Sequence, residues 1–242
     1  MMALPSFEQR VSAVVDGDHQ VWSTPIARRA ATVALLRDGG AGLEVYLFRR
    51  AATMAAAADM HVFPGGAVEP GDGPADDPGT MRTAAVRELA EETGVELPDG
   101  GAGLVRFSRW VTPEIFPHRH DTDFFACRLP DGQYPELVGT EGTTADWSSP
   151  QDALRQAAAG LLGLLPPTWA ALHLLAAFDS VGAALAGLEG HQVPALMPVP
   201  VRTATGYEWE LRDCLAGRLI TDPSEYGLPP DWRPVPTMGG QK

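Results

Sequence analysis

Hydrophobic and β-branched residues come in two runs around the string DGGAG within residues 30–50 (AATVALLRDGGAGLEVYLFRR). Two such runs about a glycine-rich turn predict a β-hairpin. Residues 51–79 lose this pattern and are broken repeatedly by Gly and Pro, which predicts a loop. Over 80–93 the apolar positions shift to helical spacing, with Thr80 placed to cap the helix and Gly94 placed to end it. LVRFSRWVT and TDFFACRL predict strands, and TTADWSS a short one. SPQDALRQAAAG predicts a capped helix, and LLPPTWAALHLLAAFDSVGAALAGL a second one with proline at its start. Residues 191–242 are rich in Pro and Gly, and only a hairpin around Glu208 to Leu219 is expected there. A β-rich first half with one embedded helix, followed by helices, predicts a mixed α/β domain.

Composition narrows the possibilities. The 242 residues suffice for one large domain or a domain with an appendage. A net charge of −13 argues against sequence-independent nucleic-acid binding, and it means that a polyanionic ligand needs a cation to approach. Two cysteines, Cys127 and Cys214, exclude a disulfide scaffold, and no CxxC or Cys/His metal spacing occurs. The start of the chain lacks a basic stretch followed by a long apolar core, and no run of residues is apolar enough to span a bilayer. The expected setting is cytoplasmic, with no membrane partner.

The helix over 80–93 carries the chemistry. Glu88, Glu91 and Glu92 fall within one sector of about 100°, while Ala85, Val86 and Leu89 fall on the adjoining one. Like charges at this spacing repel. A hard divalent cation, which prefers oxygen ligands, turns that repulsion into a binding site. Upstream, FPGGAVEPGD adds two glycines that allow close backbone approach, and two more acids, Glu69 and Asp72.

These residues resemble the Nudix hydrolases, whose box has the form G-x5-E-x7-R-E-U-x-E-E-x-G-U, with U a bulky aliphatic. Gly66 opens it, and Arg87, Glu88, Leu89, Glu91, Glu92, Gly94 and Val95 match its second half. Asp72 stands in place of the first glutamate, and residues 73–86, twice the family's spacing, separate it from Arg87. The resemblance implies an α/β/α sandwich about a mixed sheet over residues 28–150, preceded by an N-terminal segment (1–27). C-terminal helices (151–190) packed on that core and a Pro/Gly-rich extension (191–242) complete the expected organisation. The activity implied is hydrolysis of a nucleoside diphosphate linked to another group, with Mg²⁺ or Mn²⁺ as cofactor. Glu88 and Glu92 would be metal ligands, with Glu91 contributing a further site; Arg87 would orient the glutamates; a Gly65 or Gly66 carbonyl would complete the metal shell. Glu141 is the first candidate for general base and Glu136 the second.

One branch of that family, the coenzyme A diphosphatases, places a further motif before the glycines. Arg50, Ala51, Phe63, Pro64, Gly65 and Gly66 fit its spacing, whereas Ala55 and Asp59 stand where it has Arg and Gly. WVTPEIFPHRHDTDFFACRLP, WSSPQDAL and LLPPT are also similar to that branch. The implied substrate is coenzyme A or an acyl-CoA, split into 3′,5′-ADP and 4′-phosphopantetheine or its acyl form. Arg50, Arg49 and Arg119 are candidates to meet the 3′-phosphate. His61, His118 and His120 are further polar candidates near the glycines and the following strand. ADP-ribose, NADH or a nucleotide sugar is the alternative substrate, and a catalytically silent ligand-binding module the alternative class.

Overall fold

The computed structural model describes residues 4–53, 57–74, 77–190, 192–230 and 232. Ala55 therefore lies outside the described residues. The chain forms α1 (Phe7–Asp16), the hairpin β1 (Arg28–Gly39) and β2 (Gly42–Arg50), then β3 (His61–Val62) and β4 (Gly65–Ala67). There follow α2 (Thr80–Thr93), β5 (Val105–Val111), β6 (His120–Arg128), β7 (Gly142–Ser148), α3 (Pro150–Ala158), α4 (Pro166–Leu175) and α5 (Val181–Leu188). β8 (Leu196–Thr203), β9 (Gly206–Asp213) and β10 (Arg218–Ile220) close the order.

All ten strands belong to one mixed sheet, ordered β10-β9-β8-β5-β6-β1-β2-β3, with β4 on β1 and β7 on β2. β1 and β6 run parallel at its centre, and β1 pairs antiparallel with both β2 and β4. β1 is buried on both faces, as a central strand covered on two sides must be. Ala31, Val33 and Leu35 face Met81, Ala84, Ala85 and Leu89 of α2. Ala34 and Leu36 face the other way, into a larger core with Ala153 of α3, Ala170, Ala171 and Leu175 of α4, and Val181 and Ala184 of α5. The result is an α/β/α sandwich.

Three local expectations need correction, and the N-terminal segment adds a helix of its own. Thr80 is the first helical residue rather than the cap: Gly79 holds the cap position, and the Thr80 hydroxyl donates to the Pro74 carbonyl at 2.6 Å. The long C-terminal helix is two helices, because the chain breaks after Leu175 and Ser180 caps α5 by accepting from the Ala183 amide at 3.2 Å. The region after residue 191 adds three strands to the sheet rather than one hairpin. β8 and β9 pair from Leu196–Asp213 to Thr203–Gly206, and β9–β10 is the hairpin around Glu208 to Leu219. Finally, the N-terminal segment contains α1, closed by a reciprocal pair of bonds between Ser6 and Gln9 and by Gly17 at φ 70°. Asp16 and Arg202 tie it to β8 at 2.6 Å.

Candidate metal and diphosphate site

Two elements meet at the site, the C-terminal half of α2 and the short strand β4. Thr32 positions β4: its hydroxyl lies 2.8 Å from the Pro64 carbonyl and 3.2 Å from that of Phe63, and the Val33 amide donates to Pro64 at 2.8 Å. No motif flagged Thr32, whose only sequence signature is a hydroxyl in an apolar strand. Gly65 is sterically required by the backbone beside it, and Gly66 leaves the space that the Glu88 carboxylate occupies. A Cβ on Gly65 would stand 2.3 Å from the Ala31 carbonyl oxygen, and one on Gly66 would stand 2.4 Å from the Glu88 carboxylate. The helix carboxylates thus lie directly against glycine backbone.

Glu92 is buried, at 9% exposure, and one of its oxygens accepts the Gly65 amide at 2.7 Å. Burial pushes its carboxyl up to about 7; the Gly65 amide opposes the rise, and the charges of Glu88 and Glu141 add to it. The Glu88 carboxyl is raised as well, chiefly by burial, against the pull of Arg87. Glu91 differs: it is exposed, and its carboxylate meets Arg87 Nη1 at 3.0 Å. The three glutamates therefore do not converge as a set of three. Glu88 and Glu92 face β4, and Glu91 faces solvent.

Arg87 organises this edge. Its Nε and Nη2 reach the two oxygens of Asp72 at 2.9 Å each, Nη1 reaches Glu88 at 2.9 Å and Glu91 at 3.0 Å, and Nη2 also donates to the Ala67 carbonyl at 3.1 Å. Asp72 is buried, and hydrogen bonding to Arg87 holds its carboxyl below the usual carboxylate range. Asp72 thus keeps a two-pronged partnership with Arg87 despite the longer spacing. Within the longer spacing, the Thr80 hydroxyl at the start of α2 donates to the Pro74 carbonyl just past the Pro70–Asp72 turn.

Arg50 and Glu141 stand beside the carboxylates. Arg50 Nη2 lies 3.6 Å from Glu141, and the Ala51 amide donates to the Glu141 carbonyl at 2.7 Å. Arg50 Nε is buried with no hydrogen-bond partner among the described residues. Glu141 is largely exposed, and its charge is felt by both Glu88 and Glu92. Glu136 is exposed just past α2, its amide bonded to the Thr93 carbonyl. Arg49 pairs with Asp59 at 3.1 Å. Asp59, where the coenzyme A motif has glycine, sits at φ 62°, a left-handed conformation that Asp tolerates better than most residues.

Arg119 does not belong to the site. It is buried, and its guanidinium donates to the Thr112 carbonyl at 3.0 Å and the Pro25 carbonyl at 2.6 Å, with the Met197 sulfur at 3.6 Å. Its donors hold the N-terminal segment onto the sheet. His118 is exposed, while burial and the charges of Arg28 and Arg50 lower the pKa of His120. Burial also lowers that of His61.

Among the described residues no three His, Cys, Asp or Glu side chains are gathered tightly enough to chelate a metal unaided. The donor set fits Mg²⁺ nonetheless. Two desolvated carboxylates four residues apart lie against glycine backbone, and burial raises both above the ordinary carboxylate range. Mg²⁺ is commonly held by one or two carboxylates, with water and substrate phosphate supplying the rest.

The NUDIX domain model matches residues 27–166, more than half of the chain. This protein belongs to the Nudix family. It is 26% identical over 156 residues to "Putative nudix hydrolase 7" of Caenorhabditis elegans, covering 51% of this chain and 52% of that protein. It is 34% identical over 115 residues to human acyl-coenzyme A diphosphatase NUDT19, covering 43% of this chain and 29% of that protein. The chain thus spans about half the length of the first relative and under a third of the second. The crystal structure of a NUDIX hydrolase from Alicyclobacillus acidocaldarius superposes with a TM-score of 0.62 at 29% identity, over 70% of this chain and 100% of that one. No described helix is long and apolar enough to cross a membrane.

Proposed function

We propose that this protein is a Mg²⁺- or Mn²⁺-dependent hydrolase of a diphosphate linkage, with coenzyme A or an acyl-CoA as its substrate. The observation that carries the reading is the pair Glu88 and Glu92, desolvated against Gly65 and Gly66 and clamped from outside by Arg87 and Asp72. Glu88 and Glu92 hold the cation, which when bound supplies charge neutralisation for the diphosphate and a more acidic water. Arg87 fixes the Glu88 carboxylate, and the Gly65 amide fixes that of Glu92. Water attacks one phosphorus, the P–O bond of the anhydride breaks, and the freed phosphate oxygen leaves with the other half. Glu141 accepts the proton of the attacking water, a role to which its exposure and its place beside the carboxylates are suited.

The coenzyme A assignment rests on Arg50 and on the similarity to NUDT19. Arg50 is a partly buried cation at the edge of an acidic site, its Nη2 3.6 Å from Glu141. Such a group suits the extra phosphate that distinguishes coenzyme A from ADP-ribose or NADH. The test is a hydrolysis panel with Mg²⁺ or Mn²⁺ over coenzyme A, acetyl-CoA, ADP-ribose, NADH, a nucleotide sugar and nucleoside triphosphates, products being identified by mass. Release of 3′,5′-ADP from the coenzyme A species ahead of all others is expected. Preference for another diphosphate would keep the metal site and discard the coenzyme A assignment. No turnover from folded, metal-bound protein would leave a binding module.

A further inference from the structure

An apolar cavity of about 340 Å³ opens where β3 meets the helices that follow the catalytic half of the chain. Met60, Ala157, Ala158, Leu162, Leu164 and Trp169 line it, and no charged side chain does. Its volume lies at the lower end of the range for small-molecule sites. Trp169 is held rigid by stacking on His173, with ring centroids 5.1 Å apart and planes within 6°. A mostly apolar lining without charged side chains does not suit an ion; it suits a hydrocarbon chain.

The cavity is joined to the site through the backbone. The Arg50 amide donates to the Met60 carbonyl at 2.9 Å, so Met60 is both cavity wall and main-chain partner of the site's arginine. The His61 amide donates to the Gly163 carbonyl at 2.8 Å, and His61 also bridges to Leu164. Gly163 makes that junction possible, since a Cβ there would stand 2.9 Å from the Met60 sulfur. Met60 and Gly65 are five residues apart in the sequence, at most about 18 Å even if fully extended. The arm of coenzyme A from diphosphate to sulfur has about as many chain atoms as four peptide residues, a reach of roughly 14 Å. That reach is a few Å short of the upper bound, a gap that an acyl chain beyond the sulfur spans when the arm runs from Gly65 and Gly66 toward Met60.

We propose that this cavity receives the acyl chain of an acyl-CoA and makes chain length a determinant of specificity. The inference rests on the coenzyme A reading above. Its test is kcat/KM at saturating Mg²⁺ for free coenzyme A and for acetyl-, hexanoyl- and decanoyl-CoA. In the wild type kcat/KM is expected to rise from acetyl to decanoyl, by up to about fourfold per methylene buried. Ala157→Trp fills the cavity from α3, away from the carboxylates; it should abolish the rise and leave free coenzyme A turnover unchanged. Leu162→Asn provides a second probe should the larger side chain prevent folding, and should flatten the series in the same way. A flat wild-type series with coenzyme A still cleaved would overturn the cavity's role and spare the coenzyme A reading, as would a rise that persists in both variants. Turnover of another diphosphate with none of any coenzyme A species would overturn both.

Discussion

Replacing Glu92 by glutamine separates the cost of its charge from its packing. Glu92 is 9% exposed, and burial raises its carboxyl from the ordinary 4.5 to about 7. A carboxyl raised on folding binds its proton more tightly in the native state than in the unfolded one. The native state is therefore unpenalised below about pH 4.5, and it loses stability as pH rises through about 7. The whole shift corresponds to about 3 kcal/mol. Glutamine keeps an oxygen for the Gly65 amide, which Glu92 now accepts at 2.7 Å, and carries no charge. In EDTA, Glu92→Gln should match the wild type in urea denaturation near pH 4.5 and exceed it by about 3 kcal/mol near pH 8.5. Added Mg²⁺ should then stabilise the wild type and leave the variant nearly unmoved. Equal stability of the two proteins at both pH values, or a variant that is weaker at high pH, would refute the argument that Glu92 is an uncompensated buried charge awaiting a cation.

Other substitutions probe the parts separately. Asp72→Ala removes the buried two-pronged partner of the Arg87 guanidinium, and should cost about 3 kcal/mol in urea denaturation and lower kcat at least tenfold through the misplaced Glu88. Gly66→Ala forces a methyl group against the Glu88 carboxylate, and should weaken Mg²⁺ binding at least tenfold by calorimetry with circular dichroism unchanged. Arg119→Ala removes donors to the Pro25 and Thr112 carbonyls, and should cost about 2 kcal/mol in stability with kcat/KM unchanged below the melting transition. Arg50→Ala should do the reverse, lowering kcat/KM for coenzyme A more than for ADP-ribose with little effect on stability.

What the sequence made legible follows from how local each signal is. The β1–β2 hairpin, α2 and its Gly94 terminus rest on patterns within a few residues, and each lies where the pattern puts it. The acids of α2 were visible, but their division was not. Glu91 differs from Glu88 and Glu92 because Arg87 draws it outward while Gly65 and Gly66 admit the other two. The partnership of Asp72 with Arg87 also needed three dimensions, since a loop of any length can return an acid to the same arginine. β8 was obscured by Pro198 and Pro200, which argue against an interior strand. At alternate positions they place both missing donors along one edge, and the pairing to β5 stops at Leu196, so that no ladder bond is lost there. Arg119 misled for the opposite reason. Flanked by histidines it reads as a polar loop, yet its partner carbonyl at Pro25 is 94 residues away.

If Glu88 and Glu92 hold the cation, diphosphate cleavage should depend on both the metal and the Glu92 carboxylate. The most direct measurement follows coenzyme A by phosphorus NMR with the wild type and Glu92→Gln, each with Mg²⁺ and with EDTA. Loss of the diphosphate resonances and growth of phosphomonoester signals are expected only for the wild type with Mg²⁺. Cleavage by the wild type in EDTA, or undiminished cleavage by Glu92→Gln with Mg²⁺, would contradict that dependence.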